Sequence, residues 1–125
     1  MSTTIPNPRV YSPGGDITAE ATAAITARRF VAISGDRASG GNLSVAHATA
    51  AGRVFGVAGT DAALGDLLTV VRDGVVKVTA GGSIAAFAEV EVGTAGRAVT
   101  KTSGVAVGYA LTAATNDTDA EIALY

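Results

Sequence analysis

"RVFGVAGTDAALGDLLTVVRDGVVKV", residues 53–78, decides the fold of this chain. It is dense in Val, Gly and Ala and holds no Cys, His or Ser, so it is built to pack. The apolar run 54–58 is short enough for a buried strand. Residues 67–72 and 75–79 are rich in Val, which is stiff at χ1 and suits a pleated surface. Asp73-Gly74 stands between them and predicts a hairpin, because both positions of such a turn need positive φ.

The same pattern extends outward in both directions. Downstream, "AEVEV" at 88–92 alternates apolar and acidic residues, as a half-exposed strand does. A turn from Gly93 to Gly96 leads into a strand at 97–101. Ser103-Gly104 then turns the chain into "VAVGYAL" at 105–111, and the last strand covers 120–125. Upstream, residues 17–34 read two ways. Ala and Glu favour helix, and Asp16 is a candidate N-cap. Ile17, Ala19, Ala21 and Ala23 alternate with Thr18, Glu20 and Thr22, which favours strands at 17–23 and 28–34. Helix over 17–28 stays open as the alternative. Gly35-Asp36 ends the second strand, Ser39 to Asn42 is a turn, and Leu43, Val45 and His47 begin another short strand. Short strands with Gly-containing turns predict an all-β protein, a small antiparallel sandwich or barrel, with residues 17–125 as one domain.

Residues 1–16 read as an extended N-terminal arm. All three prolines, Pro6, Pro8 and Pro13, lie there, and each removes a backbone donor and extends its predecessor. Ile5, Val10 and Tyr11 are apolar groups on that arm, available to a neighbouring chain.

Gly56 and Gly108 fall inside apolar runs, where a glycine signals a bulge or a close backbone approach. Around them "FGVAGTDAALGDLLTVV" and "VGYALTAATNDTDAEIAL" align at an offset of 52 residues (108 minus 56). The alignment predicts pseudo-symmetric halves within one barrel or sandwich. Chance similarity in a low-diversity sequence is the alternative.

Composition narrows the function. With 125 residues the chain has the length of one domain. Only three Phe, three Tyr and no Trp are present, so Val, Ile, Leu and Ala must fill the core. Such a core is thin, which leans towards an oligomer or a protein that settles onto a surface. The formal net charge is −2 and the nine basic residues are scattered, without the clustered footprint of nucleic-acid binding. Zero Cys excludes disulfides, thiolate metal sites and Cys nucleophiles. No apolar stretch approaches the ~18–20 residues that cross a bilayer, and no basic start leads an apolar run as in a signal peptide. A cytoplasmic origin is therefore expected.

Few residues offer chemistry. His47 is the one histidine, and no G-x-S-x-G frame supplies a nucleophile beside it, so a plain polar role is expected. "GDRASGGN" at 35–42 lacks the Gly-Lys-Ser/Thr ending of a phosphate loop and reads as a turn. Asp117, Asp119 and Glu121 would share a strand face. Three carboxylates can hold Ca²⁺, but the same spacing marks a solvated strand edge protected from pairing, which is the reading preferred. Asp61 and Asp66 read as turn residues. Asn42-Leu43-Ser44 fits the glycosylation pattern without a secretory signal to use it. Arg28 and Arg29 are adjacent, so on a strand only one would reach a partner's carboxylate. The expected protein is not an enzyme and carries no cofactor and no metal.

Four segments, "FVAISGD", "RVFGVAGTDAALGDLLTVVRDGVVKVTAGG", "GRAVT" and "GVAVGYAL", together with the closing strand, resemble the capsid decoration (cement) proteins of tailed bacteriophages. The likeness covers roughly residues 23–125. It implies a β-rich virion protein that binds the outside of the phage head, bridges neighbouring major capsid subunits, commonly as a homotrimer, and is made in the host cytoplasm. Neither nucleic acid nor membrane is an implied partner. Contacts to a sister subunit or the capsid are expected from Ile5, Pro6, Pro8, Val10, Tyr11, Arg28 and Phe87. Many relatives carry Gly-Asp where Phe87-Ala88 follow "GGSIAA", which puts that turn in question and offers Phe87 as an apolar contact. The alternative reading is a ligand- or carbohydrate-binding β-module, such as a phage adhesion or tail component. The absence of Trp counts against it.

Overall fold

The computed structural model describes residues 8–12 and 14–125. Ten strands follow one another: β1 (Ile17–Ala21), β2 (Phe30–Gly35), β3 (Leu43–His47), β4 (Gly56–Ala58), β5 (Leu67–Val71), β6 (Val75–Thr79), β7 (Glu89–Val92), β8 (Ala98–Thr100), β9 (Gly108–Ala110) and β10 (Asp119–Leu124). The only helical element among the described residues is a single 3-10 turn, Thr94–Gly96. The alternation at 17–23 therefore decides against helix: Ile17, Ala19 and Ala21 are buried while Thr18 is exposed.

β1 to β5 close into a barrel in the order β1-β3-β2-β4-β5. All pairs are antiparallel except β1–β3, which is parallel. The exception follows from strand number, since five strands cannot alternate in direction around a closed ring. β6 to β10 form a second sheet in the order β6-β10-β9-β7-β8. Its outer ends meet at a parallel bridge between Ala80 and Ala98.

The two halves are copies of one plan. β6 to β10 take the places of β1 to β5 in turn, and the Ala80–Ala98 bridge stands where Ala21 pairs with Val45. The offset at 56 and 108 thus marks two successive barrel-like units, where the sequence predicted two halves of one. Each unit repeats the same antiparallel corner bridge, Ile25 with Ala62 and Ile84 with Ala114.

The predicted hairpin at Asp73-Gly74 does not form. Gly74 turns with φ +88°, but β5 pairs with β1 and β4 while β6 pairs with β10. The two residues are the crossing from one unit to the other. A true hairpin lies between β7 and β8, where Ala95 (φ +56°) and Gly96 (φ +73°) make the turn and the Gly93 N–H donates to the Arg97 carbonyl at 2.7 Å.

Phe30 ties the units together. It is fully buried and packs in one cluster with Ala48 and Val57 of its own unit and Val78, Ile84, Val90 and Ile122 of the other. Backbone bonds cross the same seam: the Thr79 N–H donates to the Arg28 carbonyl at 2.9 Å and the Ala51 N–H to the Val92 carbonyl at 2.9 Å. A separate aliphatic cluster, with Ile25, Val31, Val45, Leu68 and Val70, fills the first barrel.

The two glycines in apolar runs are where backbones touch. A Cβ on Gly56 would sit 2.5 Å from Val70 Cγ1 and 2.6 Å from the Val71 carbonyl oxygen. A Cβ on Gly108 would sit 2.8 Å from Ile122 Cγ2 and closer still to the Ala123 carbonyl oxygen.

Candidate functional site: an aromatic corner on the second unit

Four corner turns carry the geometry of the site. Each begins at a bridge residue (Ile25, Ala62, Ile84 or Ala114) and ends three residues later in a residue with positive φ. Those end residues are Arg28 (+60°), Gly65 (+88°), Phe87 (+69°) and Asp117 (+64°). In each, the backbone N–H then donates to a carbonyl across the sheet, to Ala58, Ala21, Ala110 and Ala80 respectively, at 2.7–2.9 Å.

Side-chain caps distinguish the corners. In the second, the Ala63 N–H donates to Asp66 Oδ2 at 3.0 Å, and in the fourth the Thr115 N–H donates to Thr118 Oγ1 at 3.1 Å. In the first, the Ala27 N–H donates to Asp61 Oδ1 at 2.7 Å. Asp61 and Asp66 are turn residues, as their surroundings in the sequence predicted. At the third corner Phe87-Ala88 stand where the second has Gly65-Asp66, so neither the glycine nor the capping carboxylate is present. The turn forms nevertheless. A bulky residue at positive φ is a true outlier and costs on the order of 1–3 kcal/mol.

Phe87 is 80% exposed. Its ring meets Tyr109 of β9 edge-on, centroids 5.4 Å apart and planes at 80°, and Tyr109 meets Tyr125 at 6.0 Å and 43°. The Tyr125 hydroxyl donates to Glu89 Oε2 at 2.6 Å. That bond and the neighbouring carboxylate raise the Tyr125 pKa above its ordinary value, so the phenol stays a neutral donor. The four side chains line an open hollow of about 280 Å³. The register of β7, β9 and β10 explains their meeting: Glu89 pairs with Tyr109, and Tyr109 with Ala123 two residues before Tyr125.

Among the described residues, none of the other predicted contact residues lines this hollow. Ile5 and Pro6 fall outside the described residues. Pro8 and Val10 are exposed. Tyr11 folds back onto its own chain: Arg37 Nη1 donates to its hydroxyl at 3.3 Å and the guanidinium lies 6.0 Å from its ring centroid. Arg28 pairs with Asp119 at 3.3 Å. Among the described residues of that set only Phe87 belongs to the aromatic cluster, and its companions Glu89, Tyr109 and Tyr125 were not read from the sequence.

The polar candidates are structural. The Thr26 N–H donates to His47 Nε2 at 3.0 Å, and burial, then the charge of Arg29, lowers the imidazole pKa. Asp117 lies in a corner turn and pairs with Arg97 at 2.8 Å, while Asp119 pairs with Arg28, so the three carboxylates are divided. β10 is an inner strand between β6 and β9, which corrects the reading of these acids as edge protection. Among the described residues no group of three metal-ligating side chains exists, and no helix is long and apolar enough to cross a membrane. Residues 35–42 form a β2–β3 turn in which Arg37 Nη1 donates to the Gly41 carbonyl at 2.8 Å. Glu91 is a buried acid missed from the sequence. It accepts from the Thr102 N–H at 2.8 Å and Thr102 Oγ1 at 2.7 Å, and these bonds lower its pKa.

Residues 12–125 match the family model of the phage cement proteins. The chain belongs to that family. It is accordingly a structural protein of the phage head. The fold is shared with the crystal structure of the head fiber gp8.5 N base of bacteriophage phi29, at TM-score 0.77 and 24% identity, covering 89% of this chain and 93% of that one. No curated protein matches.

Proposed function

We propose that this cement protein binds the outer surface of the assembled phage head as a homotrimer and stabilises the shell by bridging neighbouring major capsid subunits. Membership of the cement family over residues 12–125 carries the reading. No catalytic step is part of it. A ligand that binds only the assembled lattice shifts the equilibrium towards that lattice by mass action. An interface able to do so buries ~1,200–2,000 Å² in total. The exposed Phe87 corner supplies apolar area for it, and Val10, 73% exposed on the proline-bearing arm, supplies more. A proline-restricted arm has lost freedom before it docks, which lowers the ordering cost, and an extended arm suits addition to a sheet edge.

The test is co-sedimentation of purified chain with undecorated heads, with light scattering of the free chain alongside. Saturable binding to heads and a solution mass of three times 12.3 kDa support the proposal. Absence of binding to any assembled shell rejects the decoration role, and a stable monomer rejects the trimer.

A further inference from the structure

The aromatic corner has the makings of a cation seat. Its rings do not form a flat platform. Phe87 stands at 80° to Tyr109, and Tyr109 at 43° to Tyr125, so their faces and edges wall a hollow. A sugar ring stacks flat on an open aromatic face, whereas a compact cation is attracted by ring faces within about 6 Å, whatever their mutual tilt. Glu89 adds a full negative charge, fixed by the Tyr125 hydroxyl at 2.6 Å.

Charge pairing points the same way. At the first corner Arg28 is paired with Asp119, and at the fourth Asp117 is paired with Arg97. At the third, the Glu89 carboxylate forms no ion pair with an Arg or Lys among the described residues. Lys101, just past β8, bonds Glu89 through the backbone, its N–H donating to the Glu89 carbonyl at 2.9 Å. This chain therefore leaves one fixed carboxylate beside three aromatic rings outside any ion pair among the described residues. The backbone strain falls at the same spot. The second corner places Gly65 and Asp66 where the third places Phe87 and Ala88, so the third turn has given up both relaxed backbone and cap to present a ring.

We propose that Phe87, Tyr109, Tyr125 and Glu89 seat a lysine or arginine side chain presented by the shell subunit. This rests on the decoration reading above and names the chemistry of its contact.

Phe87→Gly and Glu89→Gln test the seat separately from the decoration role. Phe87→Gly relaxes the turn, and its urea midpoint, measured alongside, shows whether the fold is kept. Glu89→Gln keeps an acceptor for Tyr125. Each variant is expected to weaken co-sedimentation with heads about tenfold. Glu89→Gln is also expected to flatten the salt dependence of binding. A second readout needs no shell. The ring protons of Tyr109 and Tyr125 are followed by NMR during titration with N-acetyl-lysine methylamide, N-acetyl-arginine methylamide, their neutral isostere N-acetyl-norleucine methylamide, and methyl glucoside. Shifts with the two cations, absent with norleucine and abolished by Glu89→Gln, support the seat. Wild-type binding to heads that both variants retain in full overturns the seat and leaves the decoration role standing. Failure of the wild type to bind heads sinks the decoration role itself. Shifts with the glucoside alone overturn the cation in favour of a sugar. A change in solution mass on Phe87→Gly overturns it in favour of a contact between copies.

Discussion

Phe87 is the counterpart of Arg28. The two lie 59 residues apart (87 minus 28), turn at φ +69° and +60°, and donate their backbone N–H to Ala110 and Ala58 at equivalent points of the two units. One corner is closed by an ion pair to Asp119, and the other is left open as an aromatic surface.

Phe87→Gly should therefore stabilise the chain. Relief of the left-handed backbone contributes about 1 kcal/mol, set against the lost edge contact with Tyr109. Urea denaturation checks this: the midpoint is expected to hold or rise. A clear fall would mean that Phe87 is kept for folding.

Gly56→Ala and Gly108→Ala should each cost about 1–3 kcal/mol, because the new methyl meets backbone carbonyls that cannot retreat. Gly40→Ala is the control: nothing lies within 4 Å of a Cβ there, and the change should stay within about 0.5 kcal/mol. Denaturation midpoints of the three variants decide it.

Phe30→Ala should cost about 3–5 kcal/mol, a large share of the stability of a small domain. Phe30 is the one large aromatic buried where the two units meet. A thermal melt reads the loss directly.

Stability should fall on acidification in two steps. His47 has a folded pKa below its ordinary 6.5, so the unfolded chain takes up the proton first. Its contribution is complete above pH 6.5 and is lost as pH falls towards the folded value. Glu91, below its ordinary 4.5, contributes fully above pH 4.5 and loses its hold on Thr102 as pH falls through the folded value. Glu91→Gln should remove the lower step from a plot of denaturation midpoint against pH and leave the upper one.

Much of the fold was legible in particular residues. The alternation of Ile17, Ala19 and Ala21 predicted β1, because a period of two places one face on a core, though the strand ends at Ala21 and Ala23 is exposed. "AEVEV" located β7 but not its burial, since Glu91 is buried along with Val90 and Val92. Gly56 and Gly108 announced close backbone contact and a repeat. Asp73-Gly74 misled because turn chemistry fixes local φ and leaves open which sheet the next strand joins. The aromatic corner was half visible. Phe87 in place of glycine was an anomaly in the sequence, but Glu89, Tyr109 and Tyr125 reach it only through the register of three strands.

Cryo-electron microscopy of undecorated heads incubated with the chain tests the central claim most directly. The account predicts saturable added density on the outer surface, seated over junctions between capsid subunits, with the Phe87 corner against the shell. Heads that gain no density, or gain it only on the inner face, would contradict it.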